Sequence, residues 1–159
     1  MPKSRHLLPL LLAAAAACTG LPARAADPDV PAWAAMGKEQ TNMRVGPGRE
    51  YRISWTYVRK GLPVKVLRQM GGWWLVEDPD GARGWVLAQF VSRKLHTGMV
   101  RGQPTEIRES RDGGGRVLWR AAPGVIGHLG ACDNGWCAFD IDGRKGYVAQ
   151  SAVWGAGAP

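Results

Sequence analysis

Between Gly71 and Val91 an aromatic-rich run, Trp73-Trp74-Leu75-Val76-Glu77, is followed by Asp78-Pro79-Asp80-Gly81 and then by Gly84-Trp85-Val86. Aromatic and β-branched residues favour a pleated strand, and Asp, Pro and Gly in succession favour a tight turn, so this stretch reads as a β-hairpin. The same order returns from Asp133, as Gly135-Trp136, then Asp140-Ile141-Asp142-Gly143, then Gly146-Tyr147-Val148. A small β unit used twice narrows the fold more than any other feature of the chain.

Aligning the copies extends the match to Thr41-Asn42-Met43-Arg44 with Thr105-Glu106-Ile107-Arg108 and to Trp55 with Trp119, the offset drifting from 64 to 62. Turns absorb one-residue length changes and strand interiors do not, so the drift belongs in loops. Gly and Pro punctuate each copy at short intervals, and no window after the first residues carries a helical period of apolar positions. The expected fold is all-β, with two tandem five-stranded small barrels. The organisation reads as a signal peptide over 1–25, a leader over 26–38, barrels over 39–93 and 104–156, and a basic linker over 94–103. Val64, Val66, Leu75, Val86 and Val91 are the expected core of the first barrel.

Met43-Arg44-Val45-Gly46-Pro47-Gly48-Arg49-Glu50-Tyr51, Tyr57 to Val66, Gly72-Trp73 and Gly84-Trp85-Val86 together resemble the bacterial SH3-like domain, in the form found in exported proteins of Gram-negative bacteria. The likeness covers nearly all of 40–93. It is looser in the second copy, where Arg108-Glu109-Ser110-Arg111 replaces the Arg-x-Gly-Pro turn. The resemblance implies a five-stranded barrel, no cofactor, and a binding role associated with cell-wall peptides and wall-active enzymes.

Lys3 and Arg5 precede an apolar run from Leu7 to Ala17, and Ala23-Arg24-Ala25 offers small residues for signal peptidase, with cleavage expected after Ala25. The run is about half the roughly 20 residues a membrane-spanning helix needs, so no membrane span is expected. Cleavage as a lipoprotein before Cys18 is the weaker reading, because plain alanines stand where Leu is usual. Removing Lys3, Arg5 and Arg24 with no acid takes the formal charge from +8 to +5. The basic residues are interspersed with acids, which fits a solvated surface better than a polyanion track, and export makes nucleic acid an improbable partner. The protein is expected in the periplasm or secreted.

Cys132 and Cys137 flank Asp133-Asn134-Gly135-Trp136. Residues facing each other across such a turn come within the roughly 4.4–6.8 Å Cα separation a disulfide needs, and an oxidising compartment would close it. A redox pair or two metal ligands are the weaker readings, and the only nearby histidine is His128.

Eight tryptophans can fill two small cores or line a groove. Trp74 aligns with Cys137 and Gln69 with Cys132, which marks that pair of positions as a cross-strand staple, whereas Trp73 and Trp136 read equally as core or groove. In SH3-like barrels the turn after Gly-aromatic-Val borders the groove, so Tyr51, Trp55, Trp73, Trp85 and Phe90 are the candidate ligand-binding residues. In the second copy Tyr147, Trp119 and Trp154, with Ala149 and Ala152, make a poorer platform. Arg44 and Arg108 read first as partners of a local acid or turn carbonyl. No serine sits in a Gly-x-Ser-x-Gly elbow, and His96 and His128 lie in different copies, so neither catalytic residues, metal ligands nor cofactor are expected. The functional expectation is recognition of a peptidoglycan stem peptide or of an extended segment of another envelope protein. The alternative is an assembly protein whose two barrels pack together and bury their grooves.

Overall fold

In the computed structural model, which describes residues 29–159, both hairpins are present and each belongs to a seven-stranded antiparallel sheet. The first sheet contains β1 (Ala32–Met36), β2 (Thr41–Arg44), β3 (Ile53–Tyr57), β4 (Pro63–Met70), β5 (Trp73–Glu77), β6 (Arg83–Leu87) and β7 (Val91–Ser92), in spatial order β3-β2-β6-β5-β4-β1-β7. The second contains β8 (Thr97–Val100), β9 (Thr105–Arg108), β10 (Val117–Ala121), β11 (Ile126–Asp133), β12 (Trp136–Ile141), β13 (Arg144–Ala149) and β14 (Val153–Trp154), in the order β10-β9-β13-β12-β11-β8-β14. The two topologies match strand for strand. The all-β tandem architecture is as expected, while the strand count per unit is seven rather than five. The segment expected to be a signal peptide lies outside the described residues.

The added strands come from stretches that carry no alternating pattern. β1 falls within 26–38 and β8 within 94–103, segments expected to be irregular. β1 is wedged between β4 and β7, with Ala34 opposite Val64 and Met36 opposite Val91. Ala35 and Met36 are fully buried. Its small side chains suit a strand with neighbours on both sides, and that smallness is what hides it from a periodicity search. β8 holds the same place between β11 and β14, with Met99 opposite Ile126 and Val100 opposite Val153.

Each sheet rolls around one core. Tyr57 of β3 and Val91 of β7 stand at opposite ends of the strand order, yet both join Met36, Val64, Val66, Val76 and Val86 in a single buried cluster. Val100, Ile107, Phe139 and Val148 centre the second. Leu75 is the exception among the expected core residues. Side chains alternate across a strand, and it is Val76, with Trp74 beside it, that faces inward. Leu75 is half-buried on the outer face, opposite Arg68 and Trp85.

The turn chemistry acts as the residues dictate. Gly71 and Gly72 have φ of 51° and 82°, Asn134 and Gly135 48° and 80°, and Asp142 and Gly143 50° and 86°. Positive φ at both central residues defines the two-residue hairpin turn whose twist matches the flanking strands. The glycine of each Gly-aromatic-Val motif has another cause. A Cβ on Gly84 would lie 2.9 Å from the Arg44 carbonyl oxygen and 2.5 Å from Met43 Cγ, and one on Gly146 would meet Ile107 and the Arg108 carbonyl. The strand carrying the motif crosses its neighbour too closely for a side chain.

Cys132 and Cys137 form the expected disulfide, with Cα atoms 3.9 Å apart. That is closer than the window given above. The residues are directly opposed, one pair beyond the Asp133–Trp136 pair that closes the turn, and strands approach most nearly at such non-hydrogen-bonded pairs. Gln69 and Trp74 are opposed at the matching position of the first sheet, with Arg93 stacked 5.1 Å from the Trp74 ring.

The two barrels share a seam. Thr97 donates from its hydroxyl to the Gly61 carbonyl at 2.7 Å, Arg59 donates to the Gly124 carbonyl at 2.7 Å, and Met99 and Ile126 pack against the first core. Trp33 of β1 donates its indole N–H to the Gly157 carbonyl at 2.8 Å and meets Trp154 edge to face at 5.1 Å. Lys65 lies 5.5 Å from the Trp154 ring centroid and Arg101 5.3 Å, so cations from both barrels contact one aromatic ring.

Candidate peptide-binding groove

The outer face of the first sheet carries Trp73 of β5, Trp85 and Leu87 of β6, and Asn42 and Arg44 of β2. Phe90 closes one side from the 3₁₀ turn Ala88–Phe90 that follows β6. Trp73, Leu87 and Phe90 with Asn42, Arg44 and Arg49 enclose a groove of about 130 Å³. Only first-barrel residues line it, so docking of the second barrel leaves it open. Arg44 holds its rim: the guanidinium donates to the carbonyls of Arg49 at 2.9 Å and Tyr51 at 2.6 Å, fixing the loop between β2 and β3. Arg108 behaves alike, reaching the Gly115 carbonyl and Glu106. Both arginines therefore serve local structure first, as their positions suggested.

The structure divides the five candidate residues. Trp73 and Phe90 come together in the groove, and Trp85 lies beside them on the same face, outside the groove lining and packed between Leu75 and Arg44; both tryptophans are 9% exposed. Tyr51 and Trp55 lie elsewhere. They stand at the free edge of the sheet, 43% and 60% exposed, with the Tyr51 ring against Gly46.

The second barrel lacks the walls of the equivalent groove. Gly113 lies directly on the Trp136 ring, where a Cβ would come within 2.1 Å of the indole, and alanines 149 and 152 occupy the places of Leu87 and Phe90. Of its proposed platform, Trp119 lies under Arg144 at 4.7 Å and Trp154 is in the seam. Tyr147 instead lines a hollow of about 480 Å³ on the outer face, with Leu118, Ala138, His128 and Lys145. Copy comparison carries the signal for this hollow, because Ala138 stands where the first barrel has Leu75, and Gly130 and Ala131 where it has Leu67 and Arg68.

Charge on the groove side of the sheets is largely paired. Glu77 receives Arg83 at 2.6 Å and Lys65 at 3.7 Å. Glu106 is held below the usual carboxylate range by hydrogen bonds from Arg120 and Arg108. Under the first hairpin, the Tyr57 hydroxyl donates to Asp78 Oδ2 at 2.8 Å, and burial together with that bond pushes the phenol far above the usual tyrosine range. Among the described residues no cluster of three His, Cys, Asp or Glu is arranged to hold a metal, and both cysteines are joined to each other.

A family model described as bacterial SH3 domain matches residues 37–92 and 101–155. A protein of Bacillus subtilis (strain 168) named "Putative N-acetylmuramoyl-L-alanine amidase YrvJ" is 25% identical over 136 residues, which is 78% of this chain and 26% of that protein. The chain thus spans about a quarter of that relative's length. Among solved structures, NlpC1 from Trichomonas vaginalis aligns over 77% of this chain and 45% of its own, with 13% identity and a TM-score of 0.35. NlpC2 from the same organism aligns over 80% and 49%, with 12% identity and a TM-score of 0.36.

Proposed function

Because the chain belongs to the bacterial SH3 domain family, we propose that it is a non-catalytic binding module of the cell envelope, periplasmic or secreted, whose first barrel receives a cell-wall peptide. One observation carries the reading. The groove between Trp73 and Phe90 stays open with both barrels docked, while in the second copy Gly113 packs on the Trp136 ring and Ala149 and Ala152 stand where Leu87 and Phe90 form the walls. An aromatic floor, the Phe90 wall and the Arg49 cation at the rim suit a short peptide that offers aliphatic side chains and a carboxylate. The amidase name of the Bacillus relative supports the wall as the source of that peptide. A segment of another envelope protein would use the same groove chemistry.

Packing of the barrels through Trp33, Trp154 and Thr97 favours a second reading, in which the chain is an assembly module. One experiment separates the two. Wild type, Phe90→Ala and Arg49→Glu are sedimented with purified peptidoglycan and with soluble stem peptide as competitor. The expected result is retention of the wild type, release by the competitor, and at least about tenfold weaker retention of each variant. Equal retention of all three, or of none, removes the wall-binding reading.

A further inference from the structure

We propose that the free edge of β3 is a docking strand for an extended acidic segment of another protein, which joins the first sheet by main-chain pairing. This surface is separate from the groove. β3 stands at the end of the strand order and pairs with β2 alone, so its outward N–H and C=O groups have no strand partner. Sheet edges of this kind are usually blunted with charge, proline or a covering loop. This one is dressed in apolar side chains. The large hydrophobic residues exposed among the described residues are Val45, Tyr51, Ile53, Trp55, Val58, Val117 and Leu118, and every one lies on or beside β3 or its counterpart β10.

The two copies then differ in a way that singles out β3. Trp119 of β10 is covered by the Arg144 guanidinium, 4.7 Å from the ring. The residue aligned with Arg144 in the first copy is Ala82, and Trp55, aligned with Trp119, is 60% exposed. The flanking loop is held in place by Arg44, so Tyr51 is presented by a fixed backbone. An ordered strand with unpaired edge groups and a bare tryptophan is what strand addition requires.

Charge decides the occupant. Residues 49–60 carry Arg49, Arg52, Arg59 and Lys60 against the single acid Glu50, while β3 itself is uncharged. A second copy pairing β3 with β3 would bring that excess of positive charge against itself, and like charges across a ladder destabilise it. An incoming strand with alternating apolar residues and acids at its ends meets apolar side chains at the centre and cations at both flanks.

The test uses the full chain and a labelled peptide, Asp-Glu-Val-Tyr-Val-Thr-Val-Glu-Asp, with two controls: one with every acid replaced by Lys, one N-methylated at alternate residues. Binding is read by anisotropy and by amide exchange at residues 53–57. The acidic probe is expected to bind and slow exchange across β3, and each control to bind at least about tenfold more weakly. Trp55→Ser and Arg52→Glu should weaken the acidic probe to a similar degree, and Phe90→Ala should leave it unchanged, which separates this site from the groove. No binding up to about 1 mM, equal binding of acidic and Lys probes, or unchanged exchange in β3 overturns the proposal. So does a concentration-dependent dimer abolished by Trp55→Ser, which would make a second copy the occupant.

Discussion

Replacing Tyr57 by Phe removes one oxygen from a buried site beneath the first hairpin. The Tyr57 hydroxyl donates to Asp78 Oδ2 at 2.8 Å, while Asp78 Oδ1 accepts from the backbone N–H groups of Asp80 at 3.0 Å and Ala82 at 2.8 Å. Tyr57 is 6% and Asp78 7% exposed. The substitution keeps the ring in the core and the turn cap intact, but leaves Oδ2 without this donor. A hydrogen bond to a buried charged group contributes about 1.5–3 kcal/mol, so Tyr57→Phe should destabilise by roughly 2 kcal/mol, or about 4–8 °C in Tm. Urea denaturation of Tyr57→Phe, Asp78→Asn and the double variant gives the coupling directly, expected above about 1 kcal/mol. The pH dependence supplies a second signature. The folded phenol titrates above its unfolded value, so its contribution is fully present below about pH 10. It declines as pH rises further, because the unfolded chain ionises while the folded one does not. The wild type should therefore lose stability above about pH 10 more steeply than Tyr57→Phe. A loss below about 0.5 kcal/mol, or absence of coupling between the two residues, would refute the reasoning. The second barrel offers an internal control, since its aligned residues are Ala121 and Ile141, an apolar pair at the same corner. The fold does not demand the polar pair, but neither partner is dispensable alone.

Reduction of Cys132–Cys137, or Cys132→Ser with Cys137→Ala, should destabilise the second barrel by about 1–2 kcal/mol and leave the first unchanged, as resolved by amide exchange. Trp33→Ala removes the edge-to-face contact with Trp154 and the bond to Gly157, and should cost about 2–4 kcal/mol and split thermal unfolding into two transitions. Gly84→Ala forces a methyl against Met43 and the Arg44 carbonyl, and should cost about 1–3 kcal/mol by denaturant titration, with β3 and its exposed tryptophan the first part to lose exchange protection.

The parts of the fold encoded by local chemistry could be read from the chain. Asn134-Gly135 and Gly71-Gly72 specify their turns through positive φ, and the paired positions Gln69/Trp74 and Cys132/Cys137 follow once the turns fix the register. What could not be read depends on contacts distant in sequence. Ala32–Met36 shows no strand alternation because Ala34, Ala35 and Met36 are buried in succession, so both faces are covered, and Leu75 looks as apolar as Val76 until the register says which faces inward. The candidate site was legible only as composition. Trp73 and Phe90 meet across a turn and Tyr51 and Trp55 part from them along the edge. Gly113 packs on the Trp136 ring with no side chain to signal the contact.

The placement of β1 sets the order in which the molecule can be completed. It leaves the ribosome before all of its partners, yet it needs Pro63 to Val66 on one side and Val91-Ser92 on the other. A nascent chain therefore holds an unfinished first barrel until residue 92 has emerged. Trp33 waits longer still, for Trp154 and Gly157. The joint between the barrels is closed last, by the tail of the described chain reaching back to its head, and any premature stop before that point leaves the head strand's indole facing water.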